Sequence, residues 1–208
     1  MNREQIEHAI RATGDVLGEN DLLLVGSQSI LGALDKGLPK ELLLSVEVDV
    51  MMREDPLDEK QYLVNGQLGE LSQFHDTNGY YVEAVGEGLC VFPTGWRDRL
   101  FRILTPATNG ITGWCPEPHD LAISKLVAGR KKDVAYVLSL LRSGHLLPGT
   151  LLARAEDAQL QDHTKELVLG VIVRAGTPGR RNPTRHMVRT YRDHLSARRD
   201  VIPEADSE

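Results

Sequence analysis

Aromatic residues make up only 5% of this 208-residue sequence. A core must therefore be built mostly from Leu, Val, Ile and Ala. Cysteine is scarce too. Cys90 and Cys115 have no metal-ligand spacing and need not pair in a reducing compartment, so zinc and disulfides are set aside. No apolar run approaches the ~20 residues needed to span a bilayer. The opening MNREQIEHAIRATGDVLGEN carries an amphipathic helix pattern rather than that of a secretory signal. A cytoplasmic location with no membrane partner is expected. No internal repeat is visible. No Ser-His-Asp or Cys-His spacing points to a simple hydrolase.

What remains is an ordinary balance, 41% apolar and 26% charged, suited to one globular domain or a domain with a small appendage. The net charge of -6 hides an asymmetry. Residues 174–200 hold eight arginines (174, 180, 181, 185, 189, 192, 198 and 199) against Asp193 and Asp200, a net +6, which leaves -12 on the remainder. Met187, Val188, Tyr191 and Leu195 form an apolar stripe among those arginines. A basic amphipathic helix on an acidic body suits an acidic protein partner, RNA, a membrane surface, or docking on the body itself. Docking or partner binding is favoured over RNA reading, because stacking aromatics are scarce.

The periodicity predicts an α+β half followed by helices. Residues 3–17 read as a helix. DLLLVG (21–26) reads as a strand, SQSILGALDKG (27–37) as a helix, and SVEVDVM (45–51) as a strand. Residues 57–73 read as helix and loop, 79–86 with 88–93 as a hairpin, and 97–104 as a further strand. Helices follow in PEPHDLAISKLVAG (116–129), in RKKDVAYVLSLLRSG (130–144), and over 148–156 and 160–174, the first opened by His119 and Asp120 with Asp120 favoured by the helix dipole. A linker over 175–182, a last helix opened by Asn182-Pro183 and a disordered EADSE tail complete the chain. The expected organisation is an α+β domain over 1–113, a helical region packed on it over 114–175, and linker, basic helix and tail over 176–208.

Chemistry enters through an alternation. In SVEVDV, Val46, Val48 and Val50 point one way while Glu47 and Asp49 point the other, with Cβ atoms about 7 Å apart. Such a pair either lines a solvated strand face or holds a divalent cation, since Mg²⁺ binds through one or two carboxylates plus substrate phosphates. Upstream, a strand runs into Gly26-Ser27 and then into the expected helix. Gly26 permits close backbone approach, helix-start amides favour an anion, and Ser27 can cap the helix or donate to a phosphate oxygen. A phosphate cradle followed by a metal-binding strand suits metal-assisted phosphoryl or nucleotidyl transfer.

VGSQSILGAL followed by SVEVDVM resembles the signature of the polymerase-β-type nucleotidyltransferases, a Gly-Ser followed by an acidic-x-Asp pair. FHDTNGYYVEAVG, VFPTGWRDRL and TGWCPEPHDLAISKLVAGRKKDV resemble a bacterial nucleotidyltransferase-like family of unknown function, related to the AbiEii-type abortive-infection and toxin–antitoxin enzymes. The resemblance covers roughly residues 1–145. It implies an α+β fold, a nucleotidyltransferase-like mixed sheet with flanking helices followed by a C-terminal helical region. It also implies Gly26 and Ser27 as the phosphate turn, Glu47 and Asp49 as the metal pair, and Lys125 and Asp133 as further catalytic positions, with Lys125 and Arg130 on the triphosphate. Two departures stand out: Glu47 where many relatives have Asp, and a long gap from Ser27 to Glu47.

Active relatives carry a third carboxylate as general base or second metal ligand, for which Glu83 is the candidate, with a rim glutamate as the alternative. Lys125 either snorkels outward or reaches into a cleft. Asp133 either caps its helix or joins the site, and Arg130 either meets phosphate bidentately or sits on a solvated turn. The expected function is transfer of a nucleotidyl group from an NTP, with Mg²⁺ or Mn²⁺, to a hydroxyl on RNA (tRNA) or protein, in a toxin–antitoxin or phage-defence setting with an antitoxin partner. The alternative is an inactive, antitoxin-like regulatory or interaction module of the same fold.

Overall fold

The computed structural model describes residues 1–34 and 36–176. The expected linker beyond 176, the basic helix and the tail lie outside the described residues. The element order is α1 (Arg3–Leu17), β1 (Asp21–Val25), β2 (Glu47–Met52), α2 (Glu59–Leu68), α3 (Gln73–Asn78), β3 (Tyr81–Gly86), β4 (Phe101–Ile103), β5 (Thr112–Cys115), α4 (Pro118–Ala128), α5 (Lys131–Arg142), α6 (Pro148–Asp157) and α7 (Asp162–Gly176). The architecture is α+β, as the sequence led one to expect.

The sheet runs β3-β2-β1-β5-β4. β1 pairs antiparallel with β2 and parallel with β5; β2 pairs parallel with β3; β4 pairs antiparallel with β5. Alternation decides which residues face where. Leu22 and Leu24, Val48 and Val50, Val82 and Ala84 enter one large core with Ile6 and Ile10 of α1 and Val64 and Leu68 of α2. The opposite face carries Leu23, Val25, Met51, Val85 and Trp114, covered by Cys90, Phe92, Trp96 and Leu100. Glu47, Asp49 and Glu83 lie on this second face.

Several expectations are corrected. The hairpin over 79–93 does not form. β3 pairs parallel with β2, with α2 and α3 as the crossover that a parallel pair needs, and Glu87–Leu89 is a 3-10 turn with no strand following it over 90–93. The chain after Gly86 instead turns over the second face. The helix expected over 27–37 is a five-residue 3-10 turn, Gln28–Gly32. It is too short to develop a useful dipole, and Ile30 and Leu31 are buried in the core. The long gap before Glu47 holds this turn and a second one, Lys40–Leu43. The strand over 97–104 shrinks to Phe101–Ile103, preceded by a 3-10 turn, Trp96–Arg99. β5 was not anticipated, and it straddles position 113. One core runs through both halves, from Ile6 to Ile172.

The edge of β3 is closed by Asn65. Its Oδ1 accepts from Ala84 N–H at 2.7 Å, and its Nδ2 donates to the Ala84 carbonyl at 3.4 Å. That occupies a backbone position otherwise open to strand addition. At the other end of the sheet, Asp120 is fully buried. It accepts from Arg99 Nε at 2.8 Å and Nη2 at 3.1 Å, and Arg154 Nε lies 3.1 Å away as an ion pair without hydrogen-bond alignment. Asp120 is therefore a buried counter-ion joining the strand layer to α4 and α6. Glu117 caps α4, accepting from the His119 and Asp120 amides, and Asp120 falls in the first turn of the helix as expected.

Candidate active site

β1 delivers Gly26 and Ser27 to the end of the sheet where β2 carries Asp49. Val25 is the register partner of Asp49. Gly26 has φ +68°, in the left-handed region. A Cβ built there would lie 1.8 Å from Asp49 Oδ2, so the carboxylate occupies the space that any side chain at 26 would need. The turn and the acid are thus interlocked.

The turn is held from both sides. Ser29 Oγ donates to the Gly26 carbonyl at 2.8 Å, and Tyr136 Oη donates to the Ser27 carbonyl at 2.7 Å. Ser27 is not a helix cap: it sits in the right-handed helical region and makes no side-chain cap bond. Its Oγ instead accepts from Lys125 Nζ at 2.9 Å, across 98 positions of sequence. Lys125 points inward and is 6% exposed. Its ammonium also donates to Asp133 Oδ1 at 3.4 Å and stands 4.6 Å from the centre of the Tyr136 ring. Asp133 is buried, and its second oxygen accepts from Arg130 Nε at 2.5 Å. Asp133 thereby orients two cations, Lys125 and Arg130. Burial lowers the pKa of Lys125, against which Asp133 and Asp49 raise it.

The acidic side follows from register. In the parallel β2–β3 pair, Glu47 lies opposite Tyr81 and Asp49 opposite Glu83. Glu83 therefore comes alongside Asp49 on the same face, which single-strand alternation could not settle. Burial, the charge of Glu47 and a hydrogen bond with it push the Asp49 carboxyl up to about 7; Lys125 opposes the shift. Glu83 is also raised, first by burial and then by Glu47 and Glu70. Burial and these carboxylates push the Tyr81 phenol up to about 12.

Among the described residues no three His, Cys, Asp or Glu side chains form a group that could hold a metal ion by themselves. Glu83 stands beside the pair rather than closing a cage with it. The paired Glu47 and Asp49 carboxylates, with Ser27 Oγ and the Lys125 ammonium near them, are nonetheless a donor set that fits Mg²⁺ with substrate phosphates. Mn²⁺ accepts the same oxygen ligands.

Sequence reasoning missed three neighbours. Tyr136 lies on the buried stripe of α5 with Val137 and Leu140 and reads as core. Glu70 sits in the turn between α2 and α3 and reads as surface, yet its charge acts on Glu83. Cys90 borders the site: its thiol is raised by burial, with smaller effects from Asp49, Lys125 and Arg130. Only the pairing of distant segments reveals any of the three.

No helix among the described residues is long and apolar enough to cross a membrane. No curated protein and no solved structure matches the chain. The sequence model of one family, described as "Nucleotidyltransferase of unknown function (DUF6036)", matches residues 4–163. With that match spanning most of its length, the chain belongs to this nucleotidyltransferase family of unknown function.

Proposed function

We propose that this protein is an active, metal-dependent nucleotidyltransferase that moves a nucleotidyl group from an NTP to a hydroxyl on RNA, tRNA included, or on protein. The observation that carries the reading is the meeting of Lys125 with Ser27 at 2.9 Å, on a turn whose glycine is packed against Asp49. A cationic group, a hydroxyl and a pair of carboxylates thereby converge from α4, the turn after β1, and β2.

Glu47 and Asp49 would hold Mg²⁺ or Mn²⁺, which when bound supplies charge neutralisation of the phosphates. Ser27 Oγ and Lys125 bind phosphate oxygens, and Arg130 extends the cationic side outward. Asp133 holds both cations in place before nucleotide arrives, so little reorganisation is needed on binding. Glu83, with its raised proton affinity, is suited to take the proton of the acceptor hydroxyl as its oxygen bonds to the α-phosphorus and pyrophosphate departs. Glu83 then acts as a base beside the metal pair rather than as a third ligand. The resemblance to AbiEii-type enzymes extends the proposal to a toxin–antitoxin or phage-defence role with an antitoxin partner.

The test is incubation of the full chain with labelled NTPs, Mg²⁺ and total RNA or cell extract. Label should enter RNA or protein with the wild type and not with Asp49→Asn. Label transfer that survives in Glu47→Ala/Asp49→Ala would remove these residues from the site. Absence of transfer together with absence of NTP binding would favour the inactive module.

A further inference from the structure

Tyr136 touches both the Gly26-Ser27 turn and Lys125, the two halves of the proposed phosphate cradle. Its hydroxyl donates to the Ser27 carbonyl at 2.7 Å, 109 positions away in sequence, and its ring face lies 4.6 Å from the Lys125 ammonium. It stands one helical turn beyond Asp133 on α5, so the two residues reach Lys125 from neighbouring positions of the same helix face. Tyr136 is 7% exposed.

A phenylalanine would fill this place in the core almost as well. The hydroxyl is accounted for by the turn it holds, and the ring face by the cation it carries. A buried ammonium gains from an aromatic face where water is excluded. A turn carbonyl held by a hydroxyl keeps Ser27 Oγ directed at Lys125. The position of the cation and the conformation of the turn are therefore coupled through one residue.

We propose that Tyr136 is a positioning residue of the nucleotide site, locking the Gly26-Ser27 turn through its hydroxyl and the Lys125 ammonium through its ring so that both face the same phosphate. This rests on the nucleotide reading given above, but its structural half can be measured without nucleotide.

The test compares full-length wild type, Tyr136→Phe and Tyr136→Leu. The first readout is the proton NMR signal of the Lys125 ε-methylene, assigned by its loss in Lys125→Arg. It should be shifted upfield by the ring in the wild type, keep that shift in Tyr136→Phe, and lose it in Tyr136→Leu. The second readout is calorimetric affinity for each of the four NTPs with Mg²⁺. Tyr136→Phe should weaken binding by about three- to tenfold, the effect of one hydrogen bond. Tyr136→Leu should weaken it by a further factor of about three or more as the ring face is lost. Unchanged affinity in Tyr136→Phe overturns the role of the hydroxyl, even if Tyr136→Leu fails to fold. A wild-type Lys125 signal with no upfield shift overturns the role of the ring. If the wild type binds no NTP, the nucleotide reading fails and this role fails with it, while the NMR pattern still decides whether Tyr136 places Lys125.

Discussion

An alanine at position 26 meets two obstacles. The backbone there has φ +68°, a conformation that costs a residue with a Cβ about 1–2 kcal/mol. The new Cβ would also lie 1.8 Å from Asp49 Oδ2, so the carboxylate has to swing out of the turn. Gly18 separates the two effects. It closes α1 at φ +67°, and a Cβ there would meet no heavy atom within 4 Å. For a chain of this size 1 kcal/mol moves Tm by about 2–4 °C, so Gly18→Ala should lower Tm by roughly 2–8 °C through backbone strain alone. Gly26→Ala should lose a comparable amount, because release of a carboxylate already stressed by burial and by Glu47 offsets part of the clash. The two variants part company when nucleotide is added. A ligand at a hundred times its Kd stabilises the fold by about 2.7 kcal/mol, a Tm rise of roughly 5–10 °C. Thermal shift with NTP and Mg²⁺ should show that rise in the wild type and in Gly18→Ala, and none in Gly26→Ala. A full shift in Gly26→Ala would refute the claim that the turn and Asp49 act as one site.

Other perturbations reach separate parts of the structure. The Asp49 carboxyl stands at about 7 in the fold against an ordinary 3.8. Between those values the folded protein keeps a proton that the unfolded chain has lost, so stability falls as pH rises through that window, by about 1.4 kcal/mol per unit. Without metal, the stability of Asp49→Asn relative to wild type should therefore rise by about 2 kcal/mol between pH 5 and pH 7 in urea denaturation; a difference independent of pH would contradict the assignment. Asp120→Ala leaves Arg99 and Arg154 without their counter-ion and should cost about 3–5 kcal/mol in the same assay, and a loss below 1 kcal/mol would show that the network contributes little. Asp133→Asn loosens both Lys125 and Arg130 and should reduce calorimetric NTP affinity by about tenfold or more; an unchanged Kd would reduce Asp133 to a structural role.

Local patterns carried the elements whose cause is local. Alternation in residues 45–50 placed Glu47 and Asp49 on one face, because a strand has a period of two whatever its neighbours. Pro118 and Gly129 bracketed α4, one setting the helix start and the other its left-handed end. Pairing between distant segments was not legible. Gly86 and Gly88 look like a hairpin turn, yet β3 pairs with β2 across the α2–α3 crossover and runs parallel to it. That same register brings Glu83 beside Asp49, so the neighbour of the Glu47–Asp49 pair emerges only once the two strands are aligned. Thr112–Cys115 is too short for a periodicity to declare itself, yet it lies inside the sheet between β1 and β4. Lys125 left two readings open until Ser27 and Asp133 closed around it.

The central claim is that Gly26-Ser27, Glu47, Asp49 and Lys125 form one site that binds NTP with a divalent metal. Calorimetric titration of NTP into the full chain, with Mg²⁺ and with chelator, in wild type and Asp49→Asn, tests it most directly. Binding should require the metal in the wild type and disappear in Asp49→Asn. Equal affinity with chelator present, or undiminished binding by Asp49→Asn, would contradict it.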